Sequence, residues 1–393
     1  MTSLSLTPHL SARARTFESS KIREIAEMGM KQKDVLPLWF GEGAWPTHPD
    51  IVEAAVTSLR NGNHMYQPNN GAPNLREEIA RYSNRLFNTQ LTPTRVTVTP
   101  SGMQGLALAA QLLVSPGDKV VTIEPGWPNI TEVFKAQGGV MHSMGLDVEQ
   151  GRWSLDMDKL IATLGDDTRI IIINSPNNPT GWTMDQSQQL RLLEHCRAHN
   201  TWIIADDVYA RLYRHGDVAP SFLGITEPND LVISVNSFSK CWSMTGWRLG
   251  WMVTPASLET KLGQLIEFNT SCTAGFIQDA GVAALTGDVG RVDDLRHKIQ
   301  QGYAVTKQWL SDFDSVEFIE PDGAFYCFFR VEGLTDSFAA ARQILDQTKV
   351  GLAPGIAFGP RGEGYLRLCY AKPKAELDQA FMQLKPFFDA HSR

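Results

Sequence analysis

The middle of the chain alternates short apolar, β-branched runs with longer amphipathic stretches, and this alternation most limits the possible fold. The runs with strand character are Val96–Val98, Lys119–Ile123, Arg169–Asn174, Trp202–Asp206, Leu231–Asn236 and Leu249–Val253. Strands separated by helices favour an α/β domain, because parallel neighbours need a long crossover connection. Pro, Gly and Asn bound these runs, as at Ser115–Asp118, which is typical of turns. The sequence therefore predicts a mostly parallel sheet.

The pattern changes near Arg291 to a long helical stretch. Three further strand-like runs follow it, at Ser315–Ile319, Ala324–Arg330 and Gly364–Tyr370. A chain of 393 residues has room for two domains. We therefore expect a second, smaller α+β lobe packed beside the first.

Composition and charge exclude several classes of function. The formal net charge is -7, without a dense run of Lys and Arg, so no nucleic-acid partner is expected. No apolar stretch reaches the roughly 18 residues that span a bilayer, and residues 1–21 lack the apolar core of a signal peptide. The five cysteines are scattered, and His195 and His199 lack a metal-binding HExxH pattern. These features predict a cytoplasmic protein with no membrane contact and no metal site.

Lys240 lies in a segment, Ser237–Gly250, that follows an apolar run and is rich in hydroxyl and aromatic side chains. Partial burial lowers the pKa of a lysine and leaves an amine that attacks carbonyl groups. Arg248, with the hydroxyls of Ser237 and Ser239, suits a phosphate dianion. On these residues alone, a surface lysine after a strand is the more frequent outcome.

The same segment resembles the Schiff-base motif of the class I/II aminotransferases, which are pyridoxal-phosphate (PLP) enzymes of fold type I in the aspartate aminotransferase superfamily. Their motif has the form Ser-x-Ser-Lys, then Gly-x-Arg-x-Gly, and the match holds residue by residue. Further segments match in order, from about Leu36 to Ala371. The resemblance implies that PLP is bound as a Schiff base on Lys240.

The resemblance also implies which residues hold the cofactor ring. Asp206, at the end of its strand, would pair with the pyridine nitrogen and keep it protonated. Tyr209, and Asn178 in an Asn-Pro-Thr-Gly turn, would hydrogen-bond the phenolic oxygen. Trp127 would stack on the ring, although a core position is an alternative. We interpret the adjacent Asp207 as a helix-capping or surface carboxylate.

A helix start supplies the implied phosphate site, because backbone N–H groups there bind anions. A serine N-cap without a ligand is the common alternative. The residues implied at the phosphate are Ser101, Gly102, Met103, Ser237, Ser239 and Arg248. Tyr66, in a Tyr-x-x-x-x-Gly stretch, would reach the phosphate of the neighbouring subunit. A homodimer follows from that resemblance.

Substrate recognition is implied for Gly41, Asn178 and Arg367, which would hold the α-carboxylate. Arginine suits that task because its planar guanidinium makes bidentate hydrogen bonds. Motif spacing places no second cation for a distal carboxylate. Aromatic residues such as Phe17 and Trp39 suit an apolar substrate, but core packing explains them equally well. The expectation is a neutral or broad-specificity amino acid.

Fold type I implies a large domain at 46–290, with a mostly parallel seven-stranded central sheet flanked by helices. A smaller α+β domain would combine 1–45 with 291–393, and Arg13–Ile22 would cross the site entrance. The expected reaction moves an amino group from an L-amino acid to a 2-oxo acid by a ping-pong mechanism, with Lys240 as general base. The alternative is a PLP-dependent carbon–sulfur β-lyase acting on cysteine-type substrates.

Overall fold

The computed structural model describes residues 9–11 and 13–391. Its α-helices are α1 (Lys21–Met30), α2 (Pro49–Arg60), α3 (Pro73–Phe87), α4 (Gly102–Leu113), α5 (Pro128–Ala136), α6 (Met157–Thr163), α7 (Gln186–His199), α8 (Phe238–Cys241), α9 (Glu259–Asn269), α10 (Gly275–Thr286), α11 (Asp288–Ser311), α12 (Ser337–Thr348) and α13 (Lys374–Asp389). Its strands are β1 (Leu36–Pro37), β2 (Val96–Thr99), β3 (Lys119–Glu124), β4 (Val140–Gly145), β5 (Asp147–Glu149), β6 (Arg152–Ser154), β7 (Thr168–Asn174), β8 (Trp202–Asp206), β9 (Val232–Ser237), β10 (Gly250–Val253), β11 (Val316–Glu317), β12 (Tyr326–Val331), β13 (Val350–Gly351), β14 (Ala353–Pro354) and β15 (Tyr365–Cys369).

The largest sheet has seven strands in the order β2-β10-β9-β8-β7-β3-β4. Within it, β10 runs antiparallel to β2 and β9, and the other neighbouring pairs are parallel. This confirms the predicted α/β fold. The six predicted runs lie in this sheet, whereas the edge strand β4 was missed. Its residues Val140, His142 and Ser143 are exposed, so β4 lacks the apolar run that marks a buried strand.

The sheet is buried on both faces, as β7 illustrates. Ile170 and Ile172 pack into one apolar cluster, together with residues of α4 and α9. Ile171 and Ile173 pack into the cluster on the opposite face. Successive side chains of a strand point to opposite faces, so both sets must be apolar. The remaining residues of β7, Thr168, Arg169 and Asn174, are polar and lie at the two ends of the strand.

The second lobe contains a four-stranded sheet in the order β11-β12-β15-β14, and its neighbouring strands are antiparallel. A separate parallel pair joins β1 to β13, which ties the N-terminal part of the chain to this lobe. The long helix α11 begins at Asp288, and Val289 and Gly290 interrupt its helical geometry. The domain limits at 46–290 stay a prediction, and residues 1–8, 12, 392 and 393 of the expected small domain lie outside the described residues. In the described part of the chain, no helix is long and apolar enough to cross a bilayer.

Gly250 allows three backbone segments to meet where β10 lies between β2 and β9. It pairs with Thr99 on one side and with Ser237 on the other. A Cβ atom at this position would lie 2.6 Å from the backbone nitrogen of Gly102 and 2.8 Å from the carbonyl oxygen of Asn236. Glycine is therefore required here for steric reasons. The close approach brings the start of α4 beside the end of β9.

A glycine in α11 provides a test of the packing between the helix and the second lobe. A Cβ atom at Gly302 would overlap the carbonyl oxygen of Tyr370. Alanine favours a helix over glycine by about 1 kcal/mol, but overpacking costs about 1–3 kcal/mol or more. We therefore expect Gly302→Ala to lower the free energy of unfolding in urea by about 2 kcal/mol. The control is Gln301→Ala at the exposed neighbouring position, which should change it by less than about 0.5 kcal/mol. A more stable Gly302→Ala protein would contradict the close packing.

Candidate active site

A cavity of about 600 Å³ lies at the carboxyl ends of β7, β8 and β9. The start of α4, the first turns of α1 and the middle of β15 complete its walls. The predicted site residues that line it are Gly41, Gly102, Met103, Trp127, Asn178, Asp206, Tyr209, Ser237, Ser239, Lys240, Arg248 and Arg367. Ser101 and Tyr66 do not line this cavity. The structure thus brings together residues that are far apart in the sequence.

Lys240 reaches the cavity from the short helix α8, which directly follows β9. Ser237 caps this helix, because its hydroxyl accepts a hydrogen bond from the Ser239 backbone N–H at 3.1 Å. Lys240 Nζ donates to the carbonyl oxygen of Gly41 at 2.5 Å. Burial lowers the pKa of the Lys240 ammonium group to about 8. Roughly a tenth of this amine is therefore uncharged and nucleophilic at pH 7, far more than for a lysine with the usual pKa.

Asp206 is placed by the parallel pairing of β7 and β8, which sets it opposite Asn174. Only 4% of its surface is exposed, and its Oδ1 atom accepts a hydrogen bond from the Val208 backbone N–H at 3.3 Å. Burial raises the pKa of the Asp206 carboxyl to about 7, and the nearby Lys240 charge opposes that rise. A cationic group brought beside Asp206 would restore the carboxylate form.

The interpretation of Asp207 as a helix-capping or surface carboxylate is wrong. Asp207 is buried, and its Oδ2 atom accepts hydrogen bonds from the hydroxyls of Ser221 at 2.9 Å and Ser234 at 2.7 Å. Successive residues at a strand end face opposite sides of the sheet, and both sides of this sheet are covered. Burial raises the pKa of the Asp207 carboxyl to about 6. Asp207 therefore links two structural hydroxyls and does not line the cavity.

Tyr326 is a cavity residue to which sequence reasoning gave no role. It lies in β12, and its hydroxyl oxygen is 2.6 Å from that of Tyr209. Burial raises the pKa of both phenols. The strand-like run Ala324–Arg330 contains Tyr326, but a run of this kind predicts no side-chain contact. Tyr209 and Tyr326 therefore form one hydroxyl pair at the cavity wall.

Arg367 lies in β15 and is almost fully buried. Its Nη1 atom donates to Asn178 Oδ1 at 2.8 Å, and Nη2 donates to the carbonyl oxygen of Trp39. The guanidinium carbon lies 4.5 Å from the ring centroid of Tyr326 and 4.8 Å from that of Phe358. Its Nε atom is buried and has no hydrogen-bond partner among the described residues. Such an incompletely satisfied cation is suited to a ligand carboxylate.

The start of α4 and Arg248, which also line the cavity, offer groups that suit a phosphate. Ser101 caps α4, and its hydroxyl accepts a hydrogen bond from the Gln104 backbone N–H at 3.0 Å. The start of a helix carries unpaired N–H groups and a partial positive charge. Arg248 is exposed, and its Nη1 atom donates to the carbonyl oxygen of Thr245 at 2.5 Å. This donor set fits the phosphate of PLP, and the individual roles stay predictions.

Several other cavity residues were given no individual role from the sequence, although Ser19, Ser20 and Ile22 belong to the Arg13–Ile22 stretch expected to cross the site entrance. They come mainly from α1 and the segments beside it. These residues are Ser19, Ser20, Ile22, Arg23, Glu24, Glu27, Phe40, Leu106, Asn129, Asn174, Val208 and Thr245. The amphipathic pattern of α1 predicts a helix, but it does not predict that one face of the helix borders a site. Tyr66, with 86% of its surface exposed, stands apart from this chain's own cavity.

Comparisons with known proteins agree with this geometry. A family model described as aminotransferase class I and II matches residues 34–384. An aspartate aminotransferase of Pyrococcus horikoshii is 30% identical over 380 residues, which cover 96% of each protein. An arginine–pyruvate transaminase of Pseudomonas aeruginosa is 32% identical over 340 residues, covering 86% of this chain and 85% of that protein. A crystal structure of a mutant aspartate aminotransferase from Thermus thermophilus superposes with a TM-score of 0.90 at 26% identity, covering 96% of this chain and 99% of that chain.

The raised pKa of Asp206 gives a test on the cofactor-free protein. The folded protein holds this proton up to about pH 7, whereas an unfolded chain releases it near pH 4. Stability from this group is therefore full below about pH 4 and falls as the pH rises through 7. Asparagine cannot ionise, so Asp206→Asn should gain on the order of 2 kcal/mol more, relative to wild type, at pH 8 than at pH 5.

Urea unfolding at the two pH values measures this difference. Asp314→Asn, at an exposed carboxyl group, is the control and should give the same change at both pH values. If Asp206→Asn also behaves identically at pH 5 and pH 8, the buried carboxyl is ionised throughout, and the argument from burial is wrong.

Proposed function

The chain belongs to the class I and II aminotransferases and is a PLP-dependent transaminase, and we propose that it moves the amino group of an L-amino acid to a 2-oxo acid through a covalent link on Lys240. The observation that carries this proposal is the meeting of Lys240, Asp206 and Arg367 at one cavity. A nucleophilic amine, a buried carboxyl and a carboxylate-binding guanidinium are the three groups that the reaction needs.

The residues around the cavity fit the cofactor from ring to phosphate. When bound, PLP supplies an aldehyde that links to amines and a ring that withdraws electrons from the substrate Cα. Asp206 would hold positive charge at the ring nitrogen, while Tyr209 and Asn178 would donate to the phenolic oxygen. Trp127 offers a flat wall for the ring. The phosphate would be held by the start of α4 and by Ser237, Ser239 and Arg248.

Lys240 would act twice in each half-reaction. Its uncharged amine would hold the cofactor through the covalent link and would become free when a substrate amine takes its place. The free Nζ atom would then act as the general base that takes and holds the proton of the substrate Cα. In the ligand-free protein, the hydrogen bond to the Gly41 carbonyl oxygen holds Nζ at the cavity wall. Two such half-reactions, one for each substrate, give ping-pong kinetics.

Arg367 would orient the substrate through its α-carboxylate. Its Nη atoms are already bonded to Asn178 and Trp39, which fixes the plane of the guanidinium. The unpaired Nε atom leaves part of its hydrogen-bonding capacity for the ligand. Gly41, two residues after Trp39 in the chain, would border the same carboxylate. By binding the carboxylate, Arg367 would hold the Cα–H bond of the substrate in a fixed orientation toward Lys240.

A second copy of the chain is part of the proposal. Met65, Tyr66 and Phe268 are apolar or aromatic and expose 72%, 86% and 81% of their surfaces. The segments that carry them approach each other, because the Gln67 backbone N–H donates to Cys272 Sγ at 3.3 Å. Exposed patches of this kind are typical of protein interfaces. We propose a homodimer in which Tyr66 reaches the neighbouring cavity, with domains divided near 46 and 290.

Replacing Lys240 tests the covalent link. Lys240→Ala should lose the visible absorbance of the linked cofactor and lower turnover by at least about 100- to 10,000-fold, because it removes the general base. The control is Lys33→Ala, an exposed lysine, which should keep both. The measurement is the absorbance spectrum of the holoenzyme with amino acids, and then with 2-oxoglutarate.

A band that converts with amino acids and returns with the oxo acid supports transamination. A persistent band with release of ammonia and pyruvate from cysteine-type substrates would instead establish the β-lyase. Normal turnover in Lys240→Ala would overturn the proposal, provided that its thermal unfolding midpoint matches the wild-type value.

Arg367→Lys tests substrate recognition separately. Lysine keeps the charge but cannot bond Asn178, Trp39 and a carboxylate in one plane. We expect kcat/KM to fall on the order of 10- to 100-fold, which is the range for one charge-assisted hydrogen bond, with cofactor affinity unchanged. Steady-state kinetics and a PLP titration measure the two quantities. A loss confined to cofactor affinity would place Arg367 at the cofactor instead.

A further inference from the structure

Four cationic side chains line the catalytic cavity, and the proposed function uses only three of them. They are Arg23, Lys240, Arg248 and Arg367. Lys240 carries the cofactor, Arg248 suits its phosphate, and Arg367 suits the substrate α-carboxylate. Arg23 therefore remains as a cavity cation with no anion assigned to it.

Arg23 is held in the first turn of α1, close to the cavity. Its backbone N–H donates to the hydroxyl of Ser20, which caps the helix, at 3.4 Å. Its guanidinium carbon lies 5.1 Å from the ring centroid of Phe40. In the described part of the chain, no oxygen accepts a hydrogen bond from this guanidinium group. Stacking on Phe40 restrains the side chain and leaves its N–H donors available.

Phe40 places Arg23 near the reacting groups. The residue before it, Trp39, accepts a hydrogen bond from Arg367, and the residue after it, Gly41, accepts one from Lys240. The ring that contacts Arg23 therefore belongs to the short segment that also contacts Arg367 and Lys240. A substrate bound between Arg367 and Lys240 would extend its side chain toward this region.

Two carboxylates on α1 also line the cavity and must be weighed against Arg23. Glu24 is neutralised by Lys21, whose Nζ atom lies 3.1 Å from Oε1. Glu27 lies one turn further along the helix and makes no ion pair with the described residues. A basic substrate side chain is therefore the competing occupant. Arg23 is favoured because it contacts Phe40, whereas no contact places Glu27 beside the reacting groups.

We propose that Arg23 binds the distal carboxylate of the substrate, so that the enzyme acts on acidic amino acids and on dicarboxylic 2-oxo acids. The proposal rests on the proposed function, since it names the substrate class of the same site. The planar guanidinium would hold the second carboxylate by bidentate hydrogen bonds, as Arg367 holds the first. It replaces the expectation of a neutral or broad-specificity substrate.

Arg23→Met tests this assignment, because methionine keeps an unbranched apolar side chain and removes the charge. The measurement is kcat/KM of the holoenzyme for L-glutamate against L-glutamine and for L-aspartate against L-asparagine, pairs that differ mainly in the distal charge. Wild type should prefer the acid in each pair. The variant should lose on the order of 10- to 100-fold of that preference, the range for one charge-assisted pair. The control is Lys31→Met, a cation at the end of α1 outside the cavity, which should keep the preference.

Equal losses on the acid and the amide would overturn the assignment, and so would a wild-type preference for L-arginine that Glu27→Gln abolishes. Calorimetric binding of succinate, with butyrate as the monocarboxylate control, tests Arg23 without turnover. Weaker succinate binding in Arg23→Met, with butyrate unchanged, supports the proposal, and unchanged succinate binding contradicts it. A wild-type enzyme that binds succinate through Arg23 but transaminates no amino acid would refute the proposed function alone.

Discussion

The parallel pairing of β7 with β8 is the constraint on which the site depends. It sets Asn174 opposite Asp206 at one edge of a sheet whose two faces are filled with apolar side chains. Because neither face can receive a polar ligand, the carboxyl edge is where this sheet can present charge. β9 ends at the same edge with Ser237, and Lys240 follows three residues later. Asp206 and Lys240 are far apart in the sequence, but the sheet places both at the same edge.

Burial of the charged groups at this site costs free energy in the ligand-free protein. Desolvation favours the neutral form of each group. It raises the pKa of Asp206 and lowers the pKa values of Lys240 and Arg367. A positively charged ring nitrogen would offset the first shift, and a substrate carboxylate would offset the third. The protein thus holds its charged groups ready in place, and part of the ligands' binding free energy comes from relieving desolvation that folding imposed.

Sequence reasoning succeeded where a residue's chemistry and its local geometry are encoded together. Trp202–Asp206 was predicted as a strand and observed with the same limits, because a buried strand is a continuous apolar run that ends at a polar residue. It failed for Asp207, since no local pattern shows that the carboxyl after the strand end is buried against the hydroxyls of Ser221 and Ser234. The edge strand β4 was missed for lack of burial. Tyr326 was overlooked because its contact with Tyr209 joins residues 117 positions apart.

Arg23 could not have been found from motifs for a deeper reason. The groups that make and break bonds must meet one geometry, so their spacing is fixed and readable from the chain. A distal carboxylate needs only a cation on some surface that borders the substrate, and many positions satisfy that demand. Here α1 offers such a surface through its packing next to Phe40, not through a turn or a strand end. The reaction type is therefore predictable from motifs at the carboxyl edge of the sheet. The proposed substrate choice depends instead on which face of α1 borders the cavity.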